Sequence, residues 1–158
     1  MERRASPWIF LVFFFGAGPA FGEDCPVTGE AMYENDAIGV VLPEDGKFVF
    51  RPNGPGFVDH DGALGIKVGW SRKIPGRLDI TGRRLDAVAP PARAYLVDQP
   101  GTRTGQGTYV VFPTPGCWEI VGRVGDQTLT FVVAVELIDS GPAGRMNGVP
   151  RGWRQTGG

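Results

Sequence analysis

The chain is poor in the residues that hold metals or attack substrates. Its 158 residues include one histidine, His60, and two cysteines. A blue-copper site needs two histidines and a cysteine, and structural zinc sites use sets of four cysteines and histidines. The only serines after residue 22 are Ser71 and Ser140, and neither lies in the Gly-x-Ser-x-Gly turn of a serine nucleophile. The sequence therefore predicts a non-catalytic protein without a cofactor, and a small hydrolase or metal protein is the least favoured alternative.

Long hydrophobic runs are also scarce, and the clearest one lies at the N-terminus. Two arginines precede an apolar run at residues 8 to 15, and Ala20 and Gly22 provide the small residues of a cleavage site. The run is shorter than the roughly 20 residues of a spanning helix. The pattern predicts a signal peptide over residues 1–22, with cleavage after Ala20 or an uncleaved anchor as alternatives. The mature chain is then periplasmic, envelope-associated or secreted, with no stable membrane insertion.

Charge of one sign is not in excess. Without the leader, the chain has 16 acidic and 14 basic residues, and this near balance predicts no attraction to nucleic acid. The distribution is uneven, because residues 23–61 hold nine acids and two bases, whereas residues 62–158 hold seven acids and twelve bases. This asymmetry favours an acidic N-terminal segment packed against a basic face, and a basic surface for a partner is the alternative.

Helical periodicity is absent, and 25 glycines and 14 prolines interrupt the chain. Several segments alternate apolar and polar residues, which is typical of half-buried strands. The sequences LGIKVGW, RLDIT, KFVFR and CWEIVGRV each place one set of side chains inward, namely Leu64, Ile66, Val68 and Trp70; Leu78 and Ile80; Phe48 and Phe50; and Trp118, Ile120 and Val124.

Further runs complete an all-β pattern. IGVVL, ARAYLV and TYVVF have strand composition, and Gly125-Asp126 separates WEIVGRV from TLTFVVAVEL as a two-residue hairpin turn. Seven to nine strands without intervening helices predict an antiparallel immunoglobulin-like β-sandwich over residues 23–138. Residues 139–158, rich in glycine and arginine, are predicted to be a disordered tail.

The two cysteines are interpreted as a structural bridge. Alternation places Cys117 on the face opposite Trp118, and the only other cysteine, Cys25, lies near the predicted mature N-terminus. Export would place both where disulfides persist. A free Cys117 thiol, with His60 as its partner, is the alternative.

Three segments are candidates for binding. Arg72, Lys73 and Arg77, with Arg83 and Arg84, are predicted to form a basic cluster at one end of the sandwich, where binding sites are commonly built. The stretch Asp59-His60-Asp61-Gly62 has oxygen ligands for a divalent cation, but a hairpin turn explains it better. The segment AVAPPARAY is a proline-rich loop that an inhibitor would insert into a partner's cleft.

Taken together, the blocks CPVT, KFVFRPNGPGF, DGALGIKVGW, GRLDITGRRLDAVAPPARAYL and VFPTPGCWEIVGRVGDQTLTFVV resemble a family of uncharacterised exported bacterial proteins, over about residues 25 to 137. The resemblance implies the sandwich fold, export and the pair of cysteines, and it implies no catalytic residue. The predicted role is binding of a protein or a surface glycan in the envelope or outside the cell, with an enzyme accessory or inhibitor domain as the alternative.

Overall fold

Two β-sheets pack face to face in the computed structural model, which describes residues 25–51, 54–59, 61–96, 104–138 and 154–156. These ranges contain eleven strands and no helix, which confirms the all-β prediction but exceeds the predicted seven to nine strands. The strands are β1 (Met32–Glu34), β2 (Ile38–Val41), β3 (Lys47–Phe50), β4 (Phe57–Val58), β5 (Leu64–Arg72), β6 (Leu78–Arg84), β7 (Arg93–Leu96), β8 (Gly105–Phe112), β9 (Gly116–Val124), β10 (Gln127–Leu137) and β11 (Arg154–Thr156).

The strand order is that of an immunoglobulin-like sandwich. The first sheet runs β1-β2-β5-β8-β7-β11, with β4 also paired to β5, and the second sheet runs β3-β10-β9-β6. The central strands of the first sheet, β2-β5-β8-β7, correspond to the ABED sheet of an immunoglobulin domain. Strands β6-β9-β10 of the second sheet correspond to its CFG sheet. The predicted fold is therefore confirmed.

One strand pair departs from the predicted antiparallel arrangement. Strand β3 pairs in parallel with β10, so that Phe48 lies opposite Val135, whereas the other strand pairs are antiparallel. The chain leaves β2 and crosses to the second sheet through residues 42–46 without reversing its direction. Alternating hydrophobicity does not report strand direction, so this feature was not predicted.

The core lies between the sheets and contains the inward residues that alternation predicted. Trp118 is fully buried, its ring centroid lies 5.5 Å from that of Phe112, and its indole N–H donates to the Thr114 carbonyl at 3.1 Å. Trp70 donates similarly to the buried Thr108 hydroxyl, also at 3.1 Å. Both indoles thus bury a large apolar area without leaving a polar group unpaired.

The predicted disulfide joins Cys25 to Cys117. Trp118 points into the core, so Cys117 points to the outer side of the second sheet, where it is nevertheless buried. The N-terminal segment reaches it beside β10: the Thr28 amide donates to the Val132 carbonyl at 2.8 Å, and the Val132 amide donates to the Thr28 hydroxyl at 3.1 Å. The bridge fastens this segment to the second sheet.

The predicted terminal segments lie largely outside the described residues. This is true of the leader, residues 1–22, and of most of the tail, residues 139–158. Within that tail, residues 154–156 form β11 and pair with β7, with Gln155 opposite Tyr95. Among the described residues, no helix has the length and hydrophobicity that spanning a membrane requires.

Candidate functional site

The predicted basic cluster is divided between the two ends of the sandwich. Arg72 ends β5, Lys73 and Arg77 lie in the connection that leads into β6, and Arg83 and Arg84 lie at the far end of β6. Seven residues of extended strand separate them by about 20 Å. The prediction of one cluster at one end was therefore wrong, because a strand runs between two segments that are close in sequence.

The basic side chains of this set also have intramolecular partners. Lys73 Nζ lies 3.1 Å from Glu34 Oε1, Arg77 lies 3.5 Å from Asp79, and Arg83 Nε lies 2.7 Å from Glu119 Oε1. The Arg72 guanidinium donates to a backbone carbonyl in its own turn, that of Gly76. Exposed ion pairs stabilise little, but they leave less unbalanced positive charge to attract an anionic partner.

Asp59 and Asp61 are both tied to β7 through Arg93. Arg93 Nη2 lies 3.2 Å from Asp59 Oδ2 and 2.9 Å from Asp61 Oδ2. The Gly62 amide donates to the Asp59 carbonyl at 2.9 Å, and Gly62 has a φ of 84°, which favours glycine. His60 lies outside the described residues. The two carboxylates thus share an arginine.

The connection between β6 and β7 is an exposed loop that several hydrogen bonds hold in place. We call residues 85–91 the proline-rich loop; the predicted loop AVAPPARAY was too long, because Arg93 and the two residues after it belong to β7. Arg84, the last residue of β6, forms a bidentate ion pair with Asp86 of this loop. The distances are 2.6 Å from Nε to Oδ1 and 3.2 Å from Nη2 to Oδ2. Arg84 Nη1 also donates to the Thr114 hydroxyl at 3.0 Å, and the Arg84 side chain is only 16% exposed. This arginine therefore connects the loop to the β8–β9 turn.

Backbone hydrogen bonds hold both ends of the same loop. The Leu85 amide donates to the Cys117 carbonyl at 2.8 Å, and the Ala92 amide donates to the Gly82 carbonyl at 3.0 Å. Ala89 packs against the core, and two prolines follow it with fixed φ angles. Val88, at the middle of the loop, is fully exposed. The result is a constrained loop that presents one aliphatic side chain to solvent.

The Arg84–Asp86 pair predicts an acid-sensitive loop. The Arg84 hydrogen bond, helped by a backbone hydrogen bond from Cys117, holds the pKa of the Asp86 carboxyl below its ordinary value. Because the folded pKa is lowered, the contribution of the pair is complete above the ordinary aspartate pKa of about 3.9, and it is lost as the pH falls through the lower folded value. We expect the amide NMR signals of residues 85–89 to shift only in that acidic range.

Two arginine variants test this assignment. In Arg84→Ala the Asp86 titration midpoint should move up toward the ordinary value. In the matched control Arg83→Ala, whose side chain pairs with Glu119 instead, it should stay in place. An unchanged midpoint in Arg84→Ala would show that the arginine does not control the carboxyl.

A second surface feature is a groove of about 330 Å³ on the outer face of the first sheet. Its floor crosses β5 and β8, where Gly69 lies opposite Gly107, and its walls include Met32, Val41 and Lys67. Sequence reasoning placed Lys67 and Gly69 on the outward face of β5 but missed the groove. Glycine at an outward strand position was the one sequence feature that pointed to the groove. The strand pairing that places Gly107 opposite Gly69 could not be predicted from the sequence.

Comparisons with family models, with curated proteins and with solved structures find no match to this chain. The resemblance to a family of exported bacterial proteins stays a prediction.

Proposed function

We propose that this chain is an exported, non-catalytic binding module that recognises a protein through the proline-rich loop. The observation that carries the proposal is the fully exposed Val88 on a loop held at both ends. A loop that is already ordered loses little conformational entropy when it binds. An exposed aliphatic side chain on such a loop contributes binding energy when a partner buries it.

The loop also supports a second candidate, an inhibitor or accessory domain of an enzyme. A convex, constrained loop is complementary in shape to a cleft, and clefts are where enzymes bind ligands. The adjacent β8–β9 turn, Pro113-Thr114-Pro115, lies beside the loop because Thr114 binds Arg84, so both would face the same partner. The paired charges of the divided basic set give less support to recognition of an anionic surface glycan.

Export is supported by the bridge and by the predicted leader. A structural disulfide persists in oxidising compartments such as the periplasm and the extracellular space. The Cys25–Cys117 bond joins residues 92 apart. A periplasmic, envelope-associated or secreted location is therefore part of the proposal.

In-cell photocross-linking tests the proposed surface. A photoreactive amino acid at position 88 of the tagged native protein should capture one dominant protein, identified by mass spectrometry. The same amino acid at position 130, which is exposed on β10, should not capture it. Equal capture from both positions, or none from position 88, would reject the loop as the binding surface.

Substitution of the exposed side chain is the quantitative test. Val88→Asp should weaken binding of the captured partner about tenfold or more, since loss of a hot-spot side chain costs about 2 kcal/mol or more and about 1.4 kcal/mol is tenfold. Its melting temperature should not change, because the side chain contacts only solvent. Arg83→Ala is the charge control, because Arg83 pairs with Glu119 whereas Arg84 holds the loop. Unchanged affinity in Val88→Asp would contradict the proposal.

A further inference from the structure

At two glycines of this molecule, an aromatic ring packs directly against the backbone. A Cβ at Gly65, on the outward face of β5, would stand 2.2 Å from Cζ of the Phe57 ring. A Cβ at Gly122, on the inner face of β9, would stand 2.4 Å from Cζ3 of the Trp70 ring. In both places the missing side chain allows a ring to lie directly on the backbone.

Gly69 lies four residues after Gly65 on the same outward face, and no described ring covers it. A Cβ there would meet only Val41 Cγ2, at 3.7 Å, which is an ordinary contact, and Gly69 is not among the glycines with positive φ. Glycine in a strand interior is less stable than alanine because it loses more conformational freedom on folding. It often marks a place where a ligand or another chain approaches the backbone closely.

The surroundings of Gly69 define what would approach it. Gly107 lies opposite on β8, which extends the bare floor. Met32 and Val41 are 53% and 51% exposed and form an apolar wall, and a methionine sulfur is a favourable neighbour for an aromatic ring. The exposed Lys67 lies on the same face and makes no ion pair with any residue in the described ranges.

We propose that this groove seats an aromatic side chain of a partner polypeptide, with an acidic residue beside that side chain paired to Lys67. The ring would lie on the Gly69–Gly107 floor as Phe57 lies on Gly65. The volume of about 330 Å³ is at the lower limit for small-molecule sites, and it suits one large side chain of a partner. The surface lies on a sheet face away from the proline-rich loop, so the inference goes beyond the proposed function and does not depend on it.

Titration with blocked dipeptides tests the chemistry directly. The probe is acetyl-Trp-Glu-amide, added to the isotope-labelled full-length protein and followed by amide NMR. Ring-current shifts should appear at Gly69 and Gly107 and saturate with a dissociation constant in the millimolar range, about 4 kcal/mol of binding free energy. Acetyl-Leu-Glu-amide should lose the ring-current shifts, and acetyl-Trp-Lys-amide should bind several-fold more weakly. Shifts of the same size with the leucine peptide, or none at these glycines, would overturn the proposal.

Two substitutions in the groove separate recognition from folding. Gly69→Ala places a methyl group on the floor and should weaken the tryptophan peptide about tenfold, while the melting temperature stays the same or rises. Lys67→Gln should abolish the preference for the glutamate peptide over the lysine peptide. If Gly69→Ala instead lowers the melting temperature by several degrees, the glycine has a structural role and the proposal fails.

The matched controls use other surfaces of the same chain. Thr130→Ala, exposed on the second sheet, should bind the tryptophan peptide as the wild type does. Val88→Asp should also leave this titration unchanged, so failure of the loop proposal and failure of the groove proposal give different results. A groove titration that disappears in Val88→Asp would place the peptide at the loop and reject the groove.

Discussion

Replacing Cys25 and Cys117 together by alanine should produce the largest loss of stability among the substitutions considered. The bridge closes a loop between residues 92 apart. On the chain-entropy model, a loop of that length contributes about 4 to 5 kcal/mol to the free energy of unfolding. The corresponding fall in melting temperature is about 15 °C for a domain of this size. Alanine is the appropriate replacement because a serine at the buried Cys117 would add an unpaired hydroxyl.

Urea and thermal unfolding, followed by circular dichroism, measure this loss. The wild type in excess reductant serves as the matched control and should lose a similar amount. Thr28→Val removes one hydrogen bond between the N-terminal segment and β10 without touching the bridge, so it should cost only about 1 kcal/mol. A double-alanine variant within about 1 kcal/mol of the wild type would show that such hydrogen bonds, rather than the disulfide, hold the segment.

Trp118→Ala should have the second largest effect. The indole is fully buried between the sheets, against the Phe112 ring, and truncation of a buried tryptophan to alanine typically costs about 3 to 5 kcal/mol. The loss extends beyond packing, because the indole N–H holds the Thr114 carbonyl while the Thr114 hydroxyl holds Arg84. The substitution should therefore also loosen the proline-rich loop.

Trp118→Phe separates these two contributions. It keeps much of the buried ring but leaves the Thr114 carbonyl without its donor, so it should cost less than the alanine variant while still exposing the loop amides to faster hydrogen exchange. Equilibrium unfolding measures the first effect, and amide hydrogen exchange at residues 85–89 measures the second. Unchanged exchange in both variants would show that the indole does not support the loop.

The strands and their inward faces were predictable because each depends on local information. Period-two alternation places Leu78 and Ile80 inward whatever their partners are, and the burial of both side chains confirms it. The disulfide was predictable because Cys25 and Cys117 are the only two cysteines in the sequence.

The candidate sites were less predictable because they depend on which strands are neighbours. Arg83 pairs with Glu119, 36 residues later, only because β6 and β9 are in a register that places them opposite each other. Arg84 finds the Thr114 hydroxyl for a similar reason, through a turn 30 residues later. Sequence reasoning grouped these arginines by proximity along the chain, whereas their partners are fixed by pairing between distant strands.

The parallel pairing of β3 with β10 has a consequence for the order in which the molecule can be completed. Phe48 meets Val135 across 135 − 48 = 87 residues of chain, and contacts of such separation are formed slowly because a long loop must first be closed. β10 lies between β3 and β9, so β3 has no neighbour in its sheet until β10, the last strand of that sheet along the chain, has been synthesised. A chain cut short before Gln127 would consequently leave Phe48 and Phe50 uncovered, and incomplete products would be marked by exposed aromatic surface rather than by a smaller folded domain.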